Sequence, residues 1–391
     1  MRIDAFHASD FAPPLSMLVS GQAPGYTREM DAKTRHNPMN NCRSPLEMHE
    51  TDRTAGRRRG ATIIDVARVA DVAVGTVSRY LNGETVRRSN REQIERAIQE
   101  LGYRRNAAAA SIRTDLTHMI GFLVPTFDEF HARMLEHLAT SVRSTGRALL
   151  TYCHGGDPRV VAEALDFFAA QRVDALIMDG TAEVYDRVDD LIEHDVPIIF
   201  YNNDVRGLAA DRVMVENHRA SYRLISHLID LGHTRIGMLT GDPRNSSGIE
   251  RLAGYEQALR ERGIVVDASL AVRGNWRMDG GYEATKRLMS LERPPTAIFS
   301  ANYGMAVGAL SWLKENGRHV PDDISLASFD DVAVFRLYEA GITAVAQPVA
   351  GIAEKITDIL VERLTESSSG ATHSIVLECD IILRGSTRRI T

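Results

Sequence analysis

The segment VGTVSR at residues 74–79 combines small side chains with one long cation, a composition that suits close contact with a nucleic-acid groove. If the segment is helical, Val77 and Leu81 are one turn apart and face inward. The outward side then carries Val74, Gly75, Ser78 and Arg79. From that side, an arginine can donate two hydrogen bonds to O6 and N7 of guanine, which favours that base by about 1–3 kcal/mol.

Short hydroxyl and amide side chains accompany this arginine. Thr76, Ser78 and Asn82 are donors of the kind that bind phosphate oxygens and fix the register of a protein on a duplex. The alternative interpretation of the same residues is a plain helical hairpin that exposes Arg79 to solvent.

A preceding helix is needed to support such a segment. Thr62 and Asp65 have the spacing of a capping box, so a first helix is expected from there to about Ala70. Its inward side chains are predicted to be Ile64, Val66, Ala67, Val69 and Ala70. Residues 71–73 then form the turn before the next helix.

Two further helices complete this region. The second is predicted over about Val74–Leu81, and Asn82-Gly83 ends it. Ser89 and Glu92 form a second capping box, which opens a third helix that Gly102 terminates.

The charge of this region differs from that of the rest of the chain. Between Arg57 and Arg113 there are twelve arginines, no lysine and six acids, a net charge of +6, whereas the whole chain carries −6. The remaining residues therefore carry −12. A basic block attached to an acidic body is typical of a domain that binds a polyanion, although a solvated surface can have the same charge.

The alanine-rich segment NAAAASIR follows at residues 106–113. Asn106 is a good N-cap, but two turns are fewer than the roughly 12–15 residues that an isolated helix needs in water. We expect this segment to fold only when a partner supplies contacts, with Ile112 as a candidate wedge between base pairs in a minor groove. A flexible linker is the alternative interpretation.

Other features of the sequence exclude several classes of protein. Residues 1–60 lack an apolar period and are predicted to be a disordered extension, with Met48 as an alternative translation start. Cys42, Cys153 and Cys379 are too widely spaced for a metal site or a disulfide framework. No apolar run reaches the roughly 18 residues of a membrane span and no export signal is visible, which predicts a cytoplasmic protein without a membrane partner.

From His118 onward, short apolar runs alternate with segments of helix length. The runs are MIGFLV, ALLTYC, ALIMDG, PIIFYN, RIGMLTG, AIFSAN and ISLASFD. This alternation is typical of β-α-β units with parallel sheets, and about 270 residues suit two doubly wound lobes. Ligands of such folds bind beyond the carboxyl ends of the strands.

Several motifs fall in the order of a known family. TIIDVARVADVAVGTVSRYLN, ELGYRRNAAAASIR, IGFLVP, GYEQAL, HLIDLGHTRIGMLTG, VPDDISLASFDD and RGST closely resemble segments of the LacI/GalR family of bacterial transcription regulators, over residues 62–391. The resemblance implies an all-α helix-turn-helix head plus an α/β core of two doubly wound lobes resembling periplasmic sugar-binding proteins. The implied domains are a disordered extension at 1–60, a head at 61–105, a hinge helix at 106–117 and an effector-binding and dimerisation core at 118–391.

The resemblance also implies a homodimeric repressor-type regulator of palindromic operator DNA. The positions that contact DNA in the family correspond to Thr62, Thr76, Ser78, Arg79, Asn82, Tyr103, Asn106 and Ala109. Val74 and Gly75 stand where relatives are often polar, so any base contact there is apolar or absent. Ile112 replaces the usual leucine wedge. We expect dimers rather than tetramers, because no apolar heptads follow RGST.

A small sugar-like effector is implied between the lobes. The corresponding positions are Asp128, Phe130, Asn202, Arg251, Trp276, Asn302, Asp330 and Gln347. Arg251 is a planar fork that suits vicinal hydroxyls or a carboxylate, although a surface arginine is the alternative. Asn202 and Tyr303 each replace a common aspartate. The reduced negative charge favours a sugar acid or sugar phosphate and leaves a neutral sugar open.

Two other classes of protein remain as alternatives. A sugar-binding protein without a regulatory role would explain the lobes but not the basic head. A sugar-processing enzyme would need a metal site or an acid/base pair, and no grouping supplies one. The groupings considered are His131 with His137, Ser246 with Ser247, and Asp330 with Asp331. We therefore expect no catalysis, no cofactor and no metal.

Overall fold

The computed structural model describes residues 61–104, 116–181, 185–365 and 370–390. The extension predicted at residues 1–60 and most of the hinge predicted at residues 106–117 lie outside these ranges. The head consists of three helices: α1 (Ile63–Val69), α2 (Val74–Leu81) and α3 (Arg88–Leu101).

A small apolar core holds the head together. Val66, Val77 and Ile94 have no exposed surface and bring one residue from each helix into the same cluster. The predicted capping box is confirmed, since Thr62 N donates to Asp65 Oδ2 at 3.0 Å and Asp65 N donates to Thr62 Oγ1 at 3.3 Å. These bonds satisfy backbone donors that the first turn of a helix leaves unpaired.

Two predictions for the head are wrong. Ile64 and Val69 are not inward side chains of α1, because 65% and 41% of their surfaces are exposed, while Ile63 contacts the core instead. The apolar run is wider than one face of so short a helix, so only part of it can be buried. Ser89 does not cap α3, because the helix already begins at Arg88 and has no side-chain cap.

The first lobe of the core is a six-stranded parallel sheet in the order β11-β5-β4-β3-β1-β2. Its strands are β1 (Met119–Val124), β2 (Ala148–Cys153), β3 (Ala175–Asp179), β4 (Ile198–Tyr201), β5 (Asp211–Val215) and β11 (Ser374–Leu377). Its helices are α4 (Glu129–Ser144), α5 (Pro158–Gln171), α6 (Tyr185–Glu193) and α11 (Val349–Thr365). Helices cover both faces, which explains why the central strands are apolar along their whole length.

The second lobe repeats this plan with the strand order β12-β10-β9-β8-β6-β7. Its strands are β6 (Ile236–Thr240), β7 (Ala271–Arg273), β8 (Ala297–Ser300), β9 (Ser325–Phe329), β10 (Thr343–Ala346) and β12 (Asp380–Ile382). Its helices are α7 (Asn217–Asp230), α8 (Ser246–Glu261), α9 (Met278–Met289) and α10 (Tyr303–Glu315). Only β12 is antiparallel to its neighbour among the described pairs. The chain passes between the lobes after β5, β10 and β11.

The seven predicted apolar runs all form strands, and they correspond to β1–β4, β6, β8 and β9. Five described strands were not predicted. β7 and β12 have three residues each, which is too short for a period to show. β5 alternates buried and half-buried residues in the sequence DRVMV, so it lacks the continuous apolar run of a central strand.

A buried ion pair ties α11 to the first sheet. Arg363 Nε and Nη2 donate to the Asp211 carboxylate at 2.9 and 2.8 Å, and His373 N donates to it at 2.8 Å. The two paired side chains are 4% and 9% exposed. Burial alone would raise the pKa of Asp211, but the hydrogen bonds from Arg363 and His373 outweigh it and the pKa is lowered.

We predict that Asp211→Asn lowers the free energy of unfolding by about 3 kcal/mol, because it leaves a buried guanidinium without its counter-charge. Asp358→Asn removes an exposed partner of Lys355 and should cost less than about 1 kcal/mol. Since the folded pKa of Asp211 lies below its unfolded value, its stabilisation is present at neutral pH and is lost as the pH falls through the acid range. Urea unfolding at neutral and acid pH measures both effects, and equal costs for the two variants would contradict the assignment.

Candidate functional site

The outward face of α2 is open and carries a long cation. Arg79 and Gly75 are exposed, and Val74 is 40% exposed. A methyl group added at Gly75 would meet no atom within 4 Å, so the surface beside the arginine is unobstructed. Val77 on the opposite side is fully buried in the head core. The structure therefore places this face where the spacing of apolar residues predicted it.

The other candidate positions of the head differ in exposure. Thr76 and Ser78 are half-buried, and Asn82, which follows α2, is exposed. Thr62 is engaged in the capping box, and Tyr103 is half-buried against the head core. Three predicted positions lie outside the described residues: Asn106, Ala109 and Ile112.

Four of the predicted effector residues of the core follow strand ends at the junction of the lobes. Asn202 follows β4, Asn302 follows β8, Asp330 follows β9 and Gln347 follows β10. Asp128 lies between β1 and α4 and is the N-cap of that helix. Parallel strands present their carboxyl ends at one edge of a sheet, so these side chains come from both lobes to a common cleft.

The wall of the first lobe contains a carboxylate that sequence analysis missed. Asp179, the last residue of β3, accepts hydrogen bonds from Asn202 Nδ2 at 2.9 Å and from Asn203 Nδ2 at 2.7 Å. Burial raises its pKa against the opposing effects of His131 and the two amides. Asn202 stands where an aspartate is common in the family, which was expected to reduce the negative charge of the cleft. The carboxyl group of Asp179 offsets that loss.

The start of α4 contributes a buried imidazole to the same wall. Asp128 Oδ1 accepts from His131 N at 3.0 Å and lies 2.7 Å from His131 Nδ1. Phe130, which is 8% exposed, meets the His131 ring edge to face with ring centroids 5.1 Å apart. Phe130 is thus packed in the core of the lobe.

Arg251 on α8 is a buried side chain and not an ordinary surface arginine. Its Nη1 donates to Ala301 O at 2.6 Å, and its Nε donates to Asn217 Oδ1 at 2.8 Å. Its guanidinium lies 3.6 Å from the centroid of the Phe329 ring, a cation–π contact. Arg251 therefore holds the ends of β8 and β9 against α7, and a ligand contact by it stays a prediction.

Asp330 and Gln347 form a second acidic corner in the other lobe. Asp330 Oδ1 accepts from Gln347 Nε2 at 2.6 Å, and its Oδ2 accepts from Tyr303 N at 3.4 Å. Burial raises the pKa of Asp330, while Arg251 and Gln347 act in the opposite direction. Asp331 pairs instead with Arg384 at 2.7 Å.

Trp276 is fixed beside this corner by its neighbours. Its Nε1 donates to Asn245 Oδ1 at 3.1 Å, and Asn302 Nδ2 donates to Trp276 O at 2.9 Å. The indole packs on the backbone of Gly241, where any Cβ atom would overlap the ring. A Cβ atom on Gly248 would lie 3.1 Å from it. Two glycines therefore make the room that this aromatic surface needs.

Hydrogen bonds across the cleft hold the lobes together. Asn203 Oδ1 of the first lobe accepts from Ser247 N at 2.9 Å and from Ser247 Oγ at 2.7 Å. Asp204 N donates to Ser246 Oγ at 2.9 Å. Ser246 and Ser247, which sequence analysis dismissed because no base was evident, thus bridge the lobes at the beginning of α8.

Asp179, Asn203 and the two serines were not predicted as site residues, although one signal was available. Asp179 ends the apolar run ALIMDG, and the rule that ligands bind at the carboxyl ends of strands applies to it. Asn203 and Ser247 are 44 residues apart, so only the folded chain brings them into contact.

Comparisons with known proteins decide the family. The model of bacterial regulatory proteins, lacI family, matches residues 62–106, and the model of the periplasmic binding protein-like domain matches residues 225–387. The HTH-type transcriptional repressor PurR of Haemophilus influenzae is 30% identical over 337 residues, which cover 84% of this chain and 99% of the relative. The chain belongs to the lacI family. The resemblance found in the sequence is confirmed, and the chain is a DNA-binding transcriptional regulator.

Solved structures agree with the fold of this lacI-family regulator. The transcriptional regulator CelR in complex with cellobiose has a TM-score of 0.64 and 27% identity, and the match covers 83% of this chain and 99% of CelR. The lac repressor dimer bound to operator and the anti-inducer ONPF has a TM-score of 0.74 and 24% identity, with 84% and 100% covered. The second match supports the fold alone.

Two further findings on the lacI-family chain concern membrane-spanning helices and enzyme activity. None of the helices that the structure describes is long and apolar enough to cross a membrane. The curated relative PurR is named as a repressor and not as an enzyme.

We predict that Gly241→Ala displaces the Trp276 indole, because the new methyl group would overlap it, and lowers the free energy of unfolding by about 1–3 kcal/mol. The measurement is tryptophan emission together with urea unfolding. Gly351→Ala in α11 is the control, since its Cβ atom would have ordinary contacts at 3.8 Å. Identical emission spectra for the two variants would contradict the packing assigned to Trp276.

Proposed function

We propose that the chain is a dimeric repressor whose α2 helices read the halves of a palindromic operator, under the control of a sugar-like effector in the cleft between the lobes. The domain boundaries proposed for these roles are residues 61–105 for DNA binding, 106–117 for the hinge and 118–391 for the core. The proposal rests on the exposed face of α2 around Arg79. This face belongs to a chain whose core has a polar cleft between its two lobes. No catalytic role is proposed.

DNA recognition is proposed to combine one base contact with several backbone contacts. Arg79 would read a guanine through its planar fork, while Thr76, Ser78 and Asn82 would hold phosphates. Because Val74 and Gly75 are small, they would not prevent Arg79 from reaching a base edge. The further proposed positions are Thr62, Tyr103, Asn106, Ala109 and Ile112.

The effector is proposed to bind among the polar groups of the cleft. The proposed residues are Asp128, Phe130, Asn202, Arg251, Trp276, Asn302, Asp330 and Gln347. Carboxylates and amides suit the hydroxyls of a sugar, and the Trp276 indole suits the apolar face of its ring. The solved relative CelR, which is 27% identical, is complexed with cellobiose, which supports this class of ligand.

One strand is proposed to carry the signal between cleft and hinge. Asp179 ends β3 in the cleft, and Asp174 directly precedes the same strand. Thr117 N at the end of the proposed hinge and His118 N directly after it donate to the Asp174 carboxylate at 2.7 and 3.0 Å. The Asp174 side chain is 1% exposed, so these bonds are shielded from water. A movement of Asp179 in the cleft wall would therefore be transmitted along β3 to the chain at the end of the hinge.

Selection of duplexes from a random library by the full chain tests the proposal. An inverted repeat should be enriched, and the affinity for it should fall linearly with the logarithm of salt concentration, because bound phosphates release counterions. Thermal-shift screening with sugars tests the cleft, since a ligand at 100 times its Kd adds about 2.7 kcal/mol of stability. A library from which no sequence is enriched would refute DNA reading by this chain.

We predict that Arg79→Ala weakens binding to the selected duplex by about 1–3 kcal/mol and relaxes the preference at one base pair of each half-site. Arg318→Ala removes the same charge from an exposed position of the core and should leave both properties unchanged. Repeating the selection with each variant measures the preference. A sequence profile unaltered by Arg79→Ala would remove this residue from base reading.

We predict that Asp174→Ala uncouples the two sites, because it releases the chain that follows the hinge. Effector affinity should stay within about twofold, while the effect of the effector on duplex affinity falls from about 5–150-fold to less than about twofold. Asp166→Ala, which removes an exposed carboxylate beside Arg187, is the control. Fluorescence anisotropy with labelled duplex measures the coupling, and full coupling in Asp174→Ala would rule out this path.

A further inference from the structure

Three carboxylates from both lobes share the cleft. Asp128 and Asp179 belong to the first lobe and Asp330 to the second, and their side chains are largely buried. Asp128 acts electrostatically on both of the others. The cleft therefore holds three carboxyl groups that act on one another electrostatically and are largely shielded from water.

Among the described residues, Arg251 is the only buried arginine; it acts on Asp179 and Asp330 and already donates to Asn217 and a backbone carbonyl. Three carboxyl groups therefore share one buried guanidinium. Burial raises the pKa of Asp179 and of Asp330, so their charged forms are costly in the closed cleft unless a cationic ligand compensates them.

His131 shows which kind of group is missing. The residue is 5% exposed, and its Nε2 is buried without a hydrogen-bond partner among the described residues. Because the Asp128 carboxylate can only accept, the neighbouring His131 Nδ1 must donate to it. When the ring is neutral, its other nitrogen Nε2 is an acceptor, and the atom that would complete this site is then a donor.

Gln347 repeats this pattern in the opposite lobe. Its Nε2 donates to Asp330, which fixes the orientation of the amide. Its Oε1 is then buried without a partner in the described part of the chain. Within the ranges that the structure describes, each lobe thus has one buried acceptor without a donor, His131 Nε2 and Gln347 Oε1. A carboxylate group, which has no hydrogen to donate, would satisfy neither atom.

We propose that the effector is a polyol that carries an ammonium group, of the amino-sugar class, and that His131 Nε2 and Gln347 Oε1 accept hydrogen bonds from it. The ammonium group would offset the carboxylate excess of Asp128 and Asp179. The hydroxyls would donate to the remaining acceptors. This assignment rests on the proposed function only in taking the cleft as the effector site.

Matched sugars that differ in charge test the proposal on the full chain. Thermal shift and calorimetry would compare D-glucosamine, D-glucose and D-gluconate, and the corresponding galactose and mannose sets. An amine should bind with a Kd at least about tenfold below that of its neutral parent, and the acids should not bind. A neutral or acidic member that binds as tightly as its amine, or a panel in which no amine binds, would overturn the proposal.

Variants of the acceptors test the same claim through selectivity. His131→Phe keeps a ring of similar size and should weaken amine binding about tenfold, because one acceptor is lost. Asp179→Asn should reduce the preference for the amine over its parent to less than about threefold, since a charge is removed. Asp166→Asn on α5 is the control for loss of an exposed carboxylate. Unchanged selectivity in both cleft variants would contradict the assigned roles.

Duplex selection separates this proposal from the proposed function. Tight binding of an acid together with enrichment of an inverted repeat would overturn the amine assignment alone. Selective binding of an amine without enrichment of any duplex would support the assignment and refute the proposed DNA reading.

Discussion

Strand β3 is the constraint on which the core depends, because it has a buried carboxylate at each end. Asp174 holds the chain that enters from the proposed hinge, and Asp179 anchors the amides that face the other lobe. Between them lie four buried residues of a central strand, hydrogen-bonded on both sides, which cannot shorten or bend without breaking the sheet. The proposed transmission therefore takes a displacement at one end of β3 to the other end as a rigid-body movement.

The closure of the lobes depends on hydrogen bonds of moderate strength. Asn203 and Asp204 form four of them with the two serines that begin α8, and Glu129 of the first lobe bonds Tyr303 and Ala333 of the second. Each such bond contributes about 1 kcal/mol net, so the gain or loss of one or two of them is comparable with the 1–3 kcal/mol of a typical coupling between two sites. A ligand that bridges the same walls can shift this balance, whereas a tightly fused pair of lobes could not respond.

Much of this arrangement follows from the sequence, and the failures have physical causes. The bounds of α2 and the capping box at Thr62 were predicted because local spacing and local hydrogen bonds determine them. Ser89 failed as a cap because α3 begins two residues earlier than the local pattern suggests. Strand ends located the cleft, but the bond between Asn203 and Ser247 joins residues that only the packing of two lobes brings together. The burial of Arg251 likewise depends on α7, β8 and β9 at once, which no local pattern contains.

Effector binding in the cleft and DNA binding by the head are proposed to be thermodynamically coupled. The most direct test is whether each ligand changes the affinity for the other by the same factor. The affinity for the selected duplex is measured with and without the sugar found by screening, and the affinity for that sugar is measured with and without the duplex. Linkage requires the two ratios to be equal, and a coupled regulator predicts a common factor between about 5 and 150. Two ratios of unity, with both ligands bound, would contradict the account.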